Sequence, residues 1–226
     1  MNKLLEMKLK INEEDWKPTA HGKFLSKILS KNNLVENKNV LELGSGTGNN
    51  TILLLRLGAK HIVATEIAEK YMNTTKHNVE LNVENPSIEY RVADWLSTTG
   101  KFDIIICNPP FCKSGKQNRR YFIDSLILDS HKLLNENGTI VFVQSSMADL
   151  NKTKERLIEN GFEVRILGQK LEPFREYYFA DSSFMTEIQT VKNGFDIING
   201  TYYETLTVIS AKLKKFPNPI PNFKLS

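Results

Sequence analysis

The stretch "NVLELGSGTGNN", residues 39–50, contains a short apolar run, a glycine-rich turn and the start of a helical segment, in that order. Glycine adopts positive φ without steric cost, so Gly44, Gly46 and Gly48 allow a tight turn and leave space beside the backbone. A helix that starts directly after such a turn presents free N–H groups to a ligand. The order of strand, glycine turn and helix therefore predicts a ligand site at the end of this strand.

On either side of this stretch, short β-rich runs alternate with longer segments of helical periodicity. The apolar spacing predicts helices over 49–58 and 119–136, and the glycines of "NENG" (135–138) and "ENG" (159–161) are expected to end helices. Such alternation predicts an α/β domain with a largely parallel sheet, in which ligands bind beyond the carboxyl ends of the strands. The predicted strands are 39–43, 61–65, 88–92, 102–107, 139–144 and 162–167.

The composition is that of a globular protein. The 226 residues fit one domain, and 30 Lys and Arg against 26 Asp and Glu give a net charge of +4, which permits a nucleic-acid or acidic partner without requiring one. No apolar run is long enough to cross a membrane and no signal peptide is evident, so we expect a cytoplasmic protein. Two cysteines, Cys107 and Cys112, are too few for a disulfide framework or a four-ligand metal site, and we expect no metal.

Two kinds of nucleotide cofactor compete for the glycine turn. A dinucleotide site needs its third glycine or alanine at position 49, where this chain has Asn49, and the glycine stands one residue earlier at Gly48. Glu66 ends the second predicted strand, about twenty residues beyond the glycines, where nucleotide-binding domains place an acid for the ribose hydroxyls. A carboxylate at this position favours a nucleotide ligand over a purely structural turn.

The glycine spacing, with Glu42 before the turn, resembles the first motif of the class I S-adenosylmethionine-dependent methyltransferases. The resemblance implies a Rossmann-like fold with a mostly parallel seven-stranded sheet and an antiparallel last strand, S-adenosyl-L-methionine as cofactor and S-adenosyl-L-homocysteine as product. It also implies that Asp94 and Trp95 meet the adenine, although Trp95 suits the core equally well. The implied cofactor-binding residues are Glu42, Gly44, Ser45, Gly46, Thr47, Gly48, Glu66, Ile67, Asp94, Trp95 and Asn108.

A second motif, "NPPF" at residues 108–111, follows the fourth predicted strand. Prolines remove backbone donors and fix φ, so they hold the neighbouring groups in a set geometry. The Asn108 side-chain oxygen and the Pro109 carbonyl are suited to accept the two hydrogens of a planar NH2 group and so to direct its nitrogen at a methyl donor. Asn108, Pro109, Pro110 and Phe111 are the predicted catalytic residues, and they resemble the (Asn/Asp)-Pro-Pro-(Tyr/Phe) motif of methyltransferases that act on planar amino nitrogens.

The acceptor is indicated by a longer resemblance. Residues 38–170 are similar to the short form of the release-factor-type protein-glutamine methyltransferases, through an "ID" helix, a Ser-Ser pair after the fifth strand and a "GF" before the sixth. This implies methylation of a glutamine side-chain amide in a macromolecular partner, so a protein substrate is favoured over nucleic acid, with no membrane involved and a partner subunit left open. The alternative acceptor is the exocyclic amine of adenine or guanine in RNA or DNA, and a non-catalytic S-adenosylmethionine-binding scaffold is a more distant alternative.

Two features next to these motifs allow more than one interpretation. Lys113, Lys116, Arg119 and Arg120 form a basic run after the proline motif, which suits either phosphate contacts or a solvated loop. His21 is expected to be a residue at the start of a helix rather than a ligand.

The chain is predicted to form a single methyltransferase domain. An insertion near the substrate pocket is too long for a hairpin connection and carries several aromatic residues together with Arg175. It is expected either to complete the core or, preferably, to wall the acceptor pocket and read the substrate. The expected parts are an N-terminal segment and helix (1–37), the cofactor-binding and catalytic core (38–170), the insertion (171–200), the last strand (201–215) and a tail (216–226).

Overall fold

A computed structural model of the chain describes residues 3–13, 15, 17–110 and 120–214. Phe111, Cys112, Lys113, Lys116 and Arg119 lie outside the described residues. The strands are β1 Asn39–Leu43, β2 His61–Glu66, β3 Ile88–Val92, β4 Phe102–Cys107, β5 Leu134–Ser145, β6 Phe162–Pro173, β7 Asp196–Ile198 and β8 Thr201–Leu213. The α-helices are α1 Ala20–Leu29, α2 Asn49–Arg56, α3 Glu69–Glu80, α4 Tyr121–Asp129, α5 Leu150–Glu159, α6 Glu176–Phe179 and α7 Ser182–Ile188, and short 3-10 helices span Lys3–Leu5, Ser130–Lys132 and Ser146–Ala148.

The strands form one sheet in the order β3-β2-β1-β4-β5-β8-β6, with the short β7 paired to the start of β8. The strands from β3 to β5 in this order pair in parallel, and β8 runs antiparallel between β5 and β6. The predicted mostly parallel sheet with an antiparallel last strand is therefore confirmed, and β7 is an addition to the seven expected strands.

The central strands are buried on both faces. Leu41 and Leu43 of β1 belong to one hydrophobic cluster and Val40 to the other, because successive side chains of a strand point to opposite faces of the sheet. Helices cover both faces, which is the arrangement that right-handed crossovers between parallel strands produce. Because helices cover both faces, the edge at which the strands end remains accessible to a ligand.

The helix predicted over 119–136 is shorter than expected. It ends at Asp129, a 3-10 turn follows, and Leu134 already belongs to β5, where it pairs with Phe102 of β4. Leu134, at the end of the periodic run, therefore belongs to the sheet and not to the apolar face of a helix. The helix end predicted at "NENG" is wrong. The end predicted at "ENG" is confirmed, since α5 ends at Glu159 and Gly161 has a φ of +83°.

The insertion folds into the end of β6, the helices α6 and α7, and β7. Tyr178, Phe184 and Ile188 are buried in a small hydrophobic cluster together with Met147, and Phe174 packs against that cluster. The aromatic residues of the insertion therefore build a packed unit on the sheet, which agrees with the first of its two interpretations.

Arg120 is not part of an exposed basic run. It is 6% exposed, and its Nη2 donates to Asp124 Oδ1 at 2.8 Å, while Asp124 Oδ2 also pairs with Arg156 Nη1 at 2.5 Å. Arg120 Nη1 donates to the Asp149 carbonyl and to Thr153 Oγ1, both at 2.9 Å. A phosphate contact by Arg120 is therefore excluded by its burial, and the side chain instead anchors the start of α4 to α5.

Replacing Arg120 with methionine should destabilise the fold by about 3–5 kcal/mol, because Asp124 would keep a buried charge with one partner fewer. Urea unfolding followed by circular dichroism measures this loss. The matched control is Arg165→Met, since Arg165 is exposed and its pair with Glu163 spans 3.5 Å, so its loss should cost less than about 1 kcal/mol. Equal losses in the two variants would contradict a structural role for Arg120.

Candidate functional site

A cavity of about 830 Å³ opens at the edge of the sheet where the parallel strands end. Residues that follow β1, β2, β3, β4 and β6 line it, together with the segment that leads into α1. This is the edge at which ligands bind in open α/β sheets. The cavity therefore lies where the strand alternation predicts the chemistry.

Glu66 ties the glycine turn to the end of β2. Its Oε1 accepts from the Gly46 backbone N–H at 2.7 Å, and its Oε2 accepts from the Ile67 N–H at 3.0 Å. Gly44 and Gly46 have φ of +72° and +57°, and a Cβ added at either position would meet no atom within 4 Å. The turn thus has the positive φ that glycine allows, and it faces open space in which a ligand group fits.

The other predicted turn residues are divided between the cavity and the protein interior. Ser45 and Thr47 line the cavity, whereas Gly46 and Gly48 are not among its lining residues. Gly48 has a φ of +82° and lies against α3, where an added Cβ would stand 3.3 Å from the Thr75 carbonyl oxygen. Gly48 is therefore needed for close packing of the turn on α3, and its contact with the cofactor stays a prediction.

Glu42 is not among the residues that line the cavity, so its contact with a cofactor stays a prediction. Its side chain is 1% exposed, and Oε2 accepts from Thr51 Oγ1 of α2 at 2.5 Å. Burial raises the pKa of the Glu42 carboxyl, the hydrogen bond from Thr51 lowers it and the nearby Glu66 charge raises it, and together they bring it to about 8. Glu42 therefore supports the turn from beneath, between β1 and α2.

Ile67, Asp94 and Trp95 line the end of the cavity beyond β2 and β3. Ile67 is 62% exposed and Asp94 is exposed as well, so both side chains are available to a ligand. Trp95 is half-buried, donates from Nε1 to Ser125 Oγ at 2.9 Å and meets the Phe122 ring edge-to-face at 5.0 Å between centroids. Trp95 thus packs against the core and also lines the cavity, so its position is compatible with a core role and with the predicted contact to adenine.

Asn108 stands at the end of β4 and lines the middle of the cavity together with Pro109 and Pro110. Its Nδ2 lies 3.5 Å from Thr19 Oγ1, and Thr19 in turn caps α1 by accepting from the Gly22 N–H at 3.1 Å. This contact uses the amide nitrogen and leaves the amide oxygen as an acceptor. Phe111, the last residue of the motif, lies outside the described residues.

A polar cluster lines the cavity beside Asn108. Its side chains come from α1, the insertion and β8, which no sequence motif connects. His21 of α1 has Nδ1 2.6 Å from Arg175 Nη2 of the insertion, and its Nε2 lies 3.4 Å from Glu204 Oε2 of β8. Tyr178 donates its hydroxyl to Glu204 Oε1 at 3.4 Å. His21 and Arg175 are 154 residues apart, so no local spacing predicts their contact, and only the unusual content of the insertion pointed towards it.

The N-terminal segment is held against the site by two asparagines, Asn78 of α3 and Asn82 just beyond the end of that helix. Asn78 exchanges hydrogen bonds with the backbone of Lys10, and Asn82 does the same with Lys8. The Asn78 Nδ2 also donates to the Thr47 carbonyl of the glycine turn at 2.9 Å. The segment continues to Lys17, Pro18 and Thr19, which line the cavity, so one side chain connects it to the turn.

Within the described ranges, no three or more His, Cys, Asp or Glu side chains are grouped so that they could hold a metal ion. Cys107 is buried, and desolvation raises the pKa of its thiol, so it is held as a neutral side chain. None of the helices in this part of the chain is long and apolar enough to cross a membrane.

A family model described as the methyltransferase small domain matches residues 20–170. The chain belongs to this family. A Methanocaldococcus jannaschii protein, whose name assigns it provisionally to the protein N5-glutamine methyltransferases, is 32% identical over 186 residues, which cover 75% of this chain and 92% of that protein. Ribosomal protein L11 methyltransferase from Lactobacillus gasseri is 32% identical over 143 residues, 61% of this chain and 41% of that protein.

Solved structures of methyltransferases share the fold. The 16S rRNA N2 G1207 methyltransferase of T. thermophilus, in complex with AdoMet and guanosine, has a TM-score of 0.57 and 20% identity over 89% of this chain and 45% of that chain. This likeness shows the fold alone, and it agrees with the predicted Rossmann-like architecture of class I methyltransferases. The protein is therefore a methyltransferase, and an enzyme rather than the scaffold considered as the most distant alternative.

Glu42→Gln should change how the stability of this methyltransferase depends on pH. The folded-state pKa is raised, to about 8 from 4.5, so the unfolded carboxyl ionises first and wild-type stability falls as pH rises from about 5 to 8. One pKa unit corresponds to about 1.4 kcal/mol, and 1 kcal/mol moves Tm by roughly 2–4 °C in a domain of this size. The variant should therefore melt several degrees above wild type near pH 8, with a smaller gain near pH 5.

Thermal melts of the ligand-free protein across this pH range measure the effect. Glu155→Gln is the control, because Glu155 is exposed on α5 and should leave the pH dependence unchanged. A constant difference between Glu42→Gln and wild type at every pH would show that Glu42 is ionised in the folded protein.

Proposed function

We propose that the protein transfers a methyl group from S-adenosylmethionine to the side-chain amide nitrogen of a protein glutamine. The observation that carries this proposal is the position of Asn108, which stands in the middle of the cavity with its amide nitrogen against Thr19. On one side lie the glycine turn and Glu66, and on the other lie Arg175 and Tyr178. The cavity therefore has room for one ligand on each side of Asn108.

The side of the cavity over β1, β2 and β3 suits the cofactor. Gly44 faces open space, Glu66 offers carboxylate lone pairs beyond those used by Gly46 and Ile67, and Asp94 is exposed at the far end. Glu66 would accept from the ribose hydroxyls, Ile67 would pack on the base, and Asp94 would accept from the base amine. When bound, the cofactor supplies an electrophilic methyl group on a sulfonium.

The role of Asn108 and Pro109 is to orient the acceptor nitrogen. The lone pair of an amide nitrogen is delocalised, so the nitrogen attacks poorly unless its two hydrogens are held and its free face is directed at the methyl carbon. The Asn108 Oδ1 and the Pro109 carbonyl would accept these two hydrogens, and the prolines keep both oxygens in place. The nitrogen gains the methyl group and releases one proton to water.

Several observations favour a glutamine amide over a base. The M. jannaschii relative, matched over nearly its whole length, carries the name of a protein-glutamine methyltransferase. Arg120 is removed from the basic run by its burial, which weakens the case for phosphate contacts. The exocyclic amine of adenine or guanine in RNA or DNA is the alternative outcome of the test below.

The test is to incubate lysate fractions of the source organism with methyl-labelled S-adenosylmethionine and the purified protein. Protease should destroy the labelled macromolecule and nuclease should leave it intact, and hydrolysis of the labelled fraction should yield N5-methylglutamine by mass spectrometry. Loss of the label on nuclease treatment would overturn the glutamine proposal in favour of a base.

Glu66→Ala should weaken binding of S-adenosylmethionine by roughly 1.5–3 kcal/mol, the value of a hydrogen bond to a charged group, measured by calorimetry. Glu66→Gln should lose less, because an amide oxygen still accepts from the Gly46 N–H. Glu69→Ala is the control, since Glu69 is exposed at the start of α3 and does not line the cavity. Unchanged affinity in Glu66→Ala would remove Glu66 from the cofactor site.

Asn108→Ala should reduce turnover at least about a hundredfold while leaving the affinity for S-adenosylmethionine near normal, because it removes an oriented acceptor that is needed in the transition state. Asn108→Asp keeps an acceptor oxygen and should lose less. Single-turnover rates on the labelled protein substrate, together with calorimetry on the cofactor, separate the two effects. Full turnover in Asn108→Ala would contradict the role given to this side chain.

A further inference from the structure

The cavity has two ends, and the sheet order separates them. Glu66 ends β2 and Asp94 follows β3 at one end, and Arg175 follows β6 at the other. Asn108 follows β4, which lies between β1 and β5 in the sheet. If the cofactor occupies the first end, as the proposed function requires, the acceptor must occupy the second end.

Arg175 is held in one orientation at this second end. Its Nη1 donates to the Tyr177 hydroxyl at 2.7 Å, and its guanidinium carbon lies 5.8 Å from the ring centroids of both Tyr177 and Tyr178. Its Nη2 lies 2.6 Å from His21 Nδ1, and because a guanidinium only donates, His21 Nδ1 must accept. The guanidinium has five donors, so these two bonds orient it and leave others for a ligand.

Glu204 completes the support of Arg175 from behind. With Nδ1 accepting, a neutral His21 carries its proton on Nε2, which faces Glu204 Oε2 at 3.4 Å. Glu204 is 0% exposed, and Tyr178 donates to its other oxygen. A buried carboxylate is costly unless its neighbours compensate its charge, so its place behind His21 and Arg175 indicates a role in orienting them.

The charges around the cavity are balanced. Among the described lining residues, the cations Lys17, Lys23 and Arg175 are matched in number by the anions Glu66, Asp94 and Asp181. A ligand rich in phosphate needs a surplus of cations, which this lining does not supply. The tyrosines and Phe184 add flat apolar surface at the same end. Such a surface suits an uncharged planar group that carries a hydrogen-bond acceptor.

We infer that Arg175 is a specificity-determining residue, which donates to a backbone carbonyl oxygen of the polypeptide that carries the methylated glutamine. His21 and Glu204 are positioning residues, because they act on the acceptor only through Arg175. The inference rests on the proposed function and adds to it the part of the substrate that is read besides the amide. It predicts that a glutamine within a peptide is a better acceptor than the same amide without peptide carbonyls.

The experiment compares two probes with S-adenosylmethionine as methyl donor. One probe is a capped heptapeptide of glycine and alanine with a single central glutamine, and the other is butanamide, which has the primary amide alone. The ratio of kcat/KM for the peptide to that for butanamide should fall about tenfold or more in Arg175→Met, mainly through KM, as expected for loss of a charge-assisted hydrogen bond. The ratio for Arg175→Lys should lie between those of the unaltered protein and Arg175→Met.

Two controls separate specificity from folding. Arg165→Met removes an exposed arginine of β6 outside the cavity and should keep the wild-type ratio. Calorimetry with S-adenosylmethionine and thermal melts on each variant report whether the cofactor end and the fold are intact.

The positioning role has its own readout. Glu204→Ala should raise the KM for the peptide, and Glu204→Gln should restore most of the loss, since its amide keeps an oxygen facing His21 Nε2. Equal damage in both variants would assign Glu204 to the fold alone and overturn its positioning role.

The remaining outcomes are distinct. An unchanged probe ratio in Arg175→Met would overturn the inference about Arg175 and leave the glutamine proposal standing. If the unaltered protein binds S-adenosylmethionine and methylates neither probe, the amide acceptor itself is wrong, and the inference fails with it.

Discussion

The parallel pairing of β1 with β2 on one side and β4 on the other is the constraint on which the site depends. In this register Leu43 lies opposite Thr65 and opposite Cys107. Gly44 and Asn108, which follow β1 and β4, are therefore level with Glu66, the last residue of β2. Three groups that are far apart in sequence are thereby placed along one edge. The hydrogen bond between Glu66 and the Gly46 N–H then fixes the turn in this arrangement.

Much of this arrangement can be predicted from sequence, because the strand and turn signals are local and the strand–helix alternation indicates a largely parallel sheet. The boundaries of β1, β3 and β4 agree with those predicted, since each is a short β-rich run followed within a few residues by a turn or a proline. The prediction fails where two structures suit the same pattern. Leu133 and Leu134 continue a helical period, yet Leu134 gains more from pairing with β4 than from another helical turn.

Other parts of the site could not be predicted, since they depend on which side chains face inward. Glu42 has the position of a cofactor ligand in the sequence, but the alternation of β1 directs it beneath the turn to Thr51. Arg120 follows a basic run and is nevertheless buried against Asp124. The contact between His21 and Arg175 requires the antiparallel β8 to bring the insertion back over α1, and no single sequence motif encodes that return.

Through Asn78 and Asn82, a structural change in the N-terminal segment can affect the glycine turn. A side-chain amide that both donates to and accepts from one residue's backbone reproduces the hydrogen bonds of a neighbouring strand. Lys8 and Lys10 are therefore bonded to α3 and to the residue Asn82 beyond it as if to a sheet edge. If this segment were pulled away, the Asn78 side chain would lose two of its three hydrogen bonds and would no longer hold the Thr47 carbonyl firmly. Strain near the start of the chain would then reach the glycine turn through a single amide group.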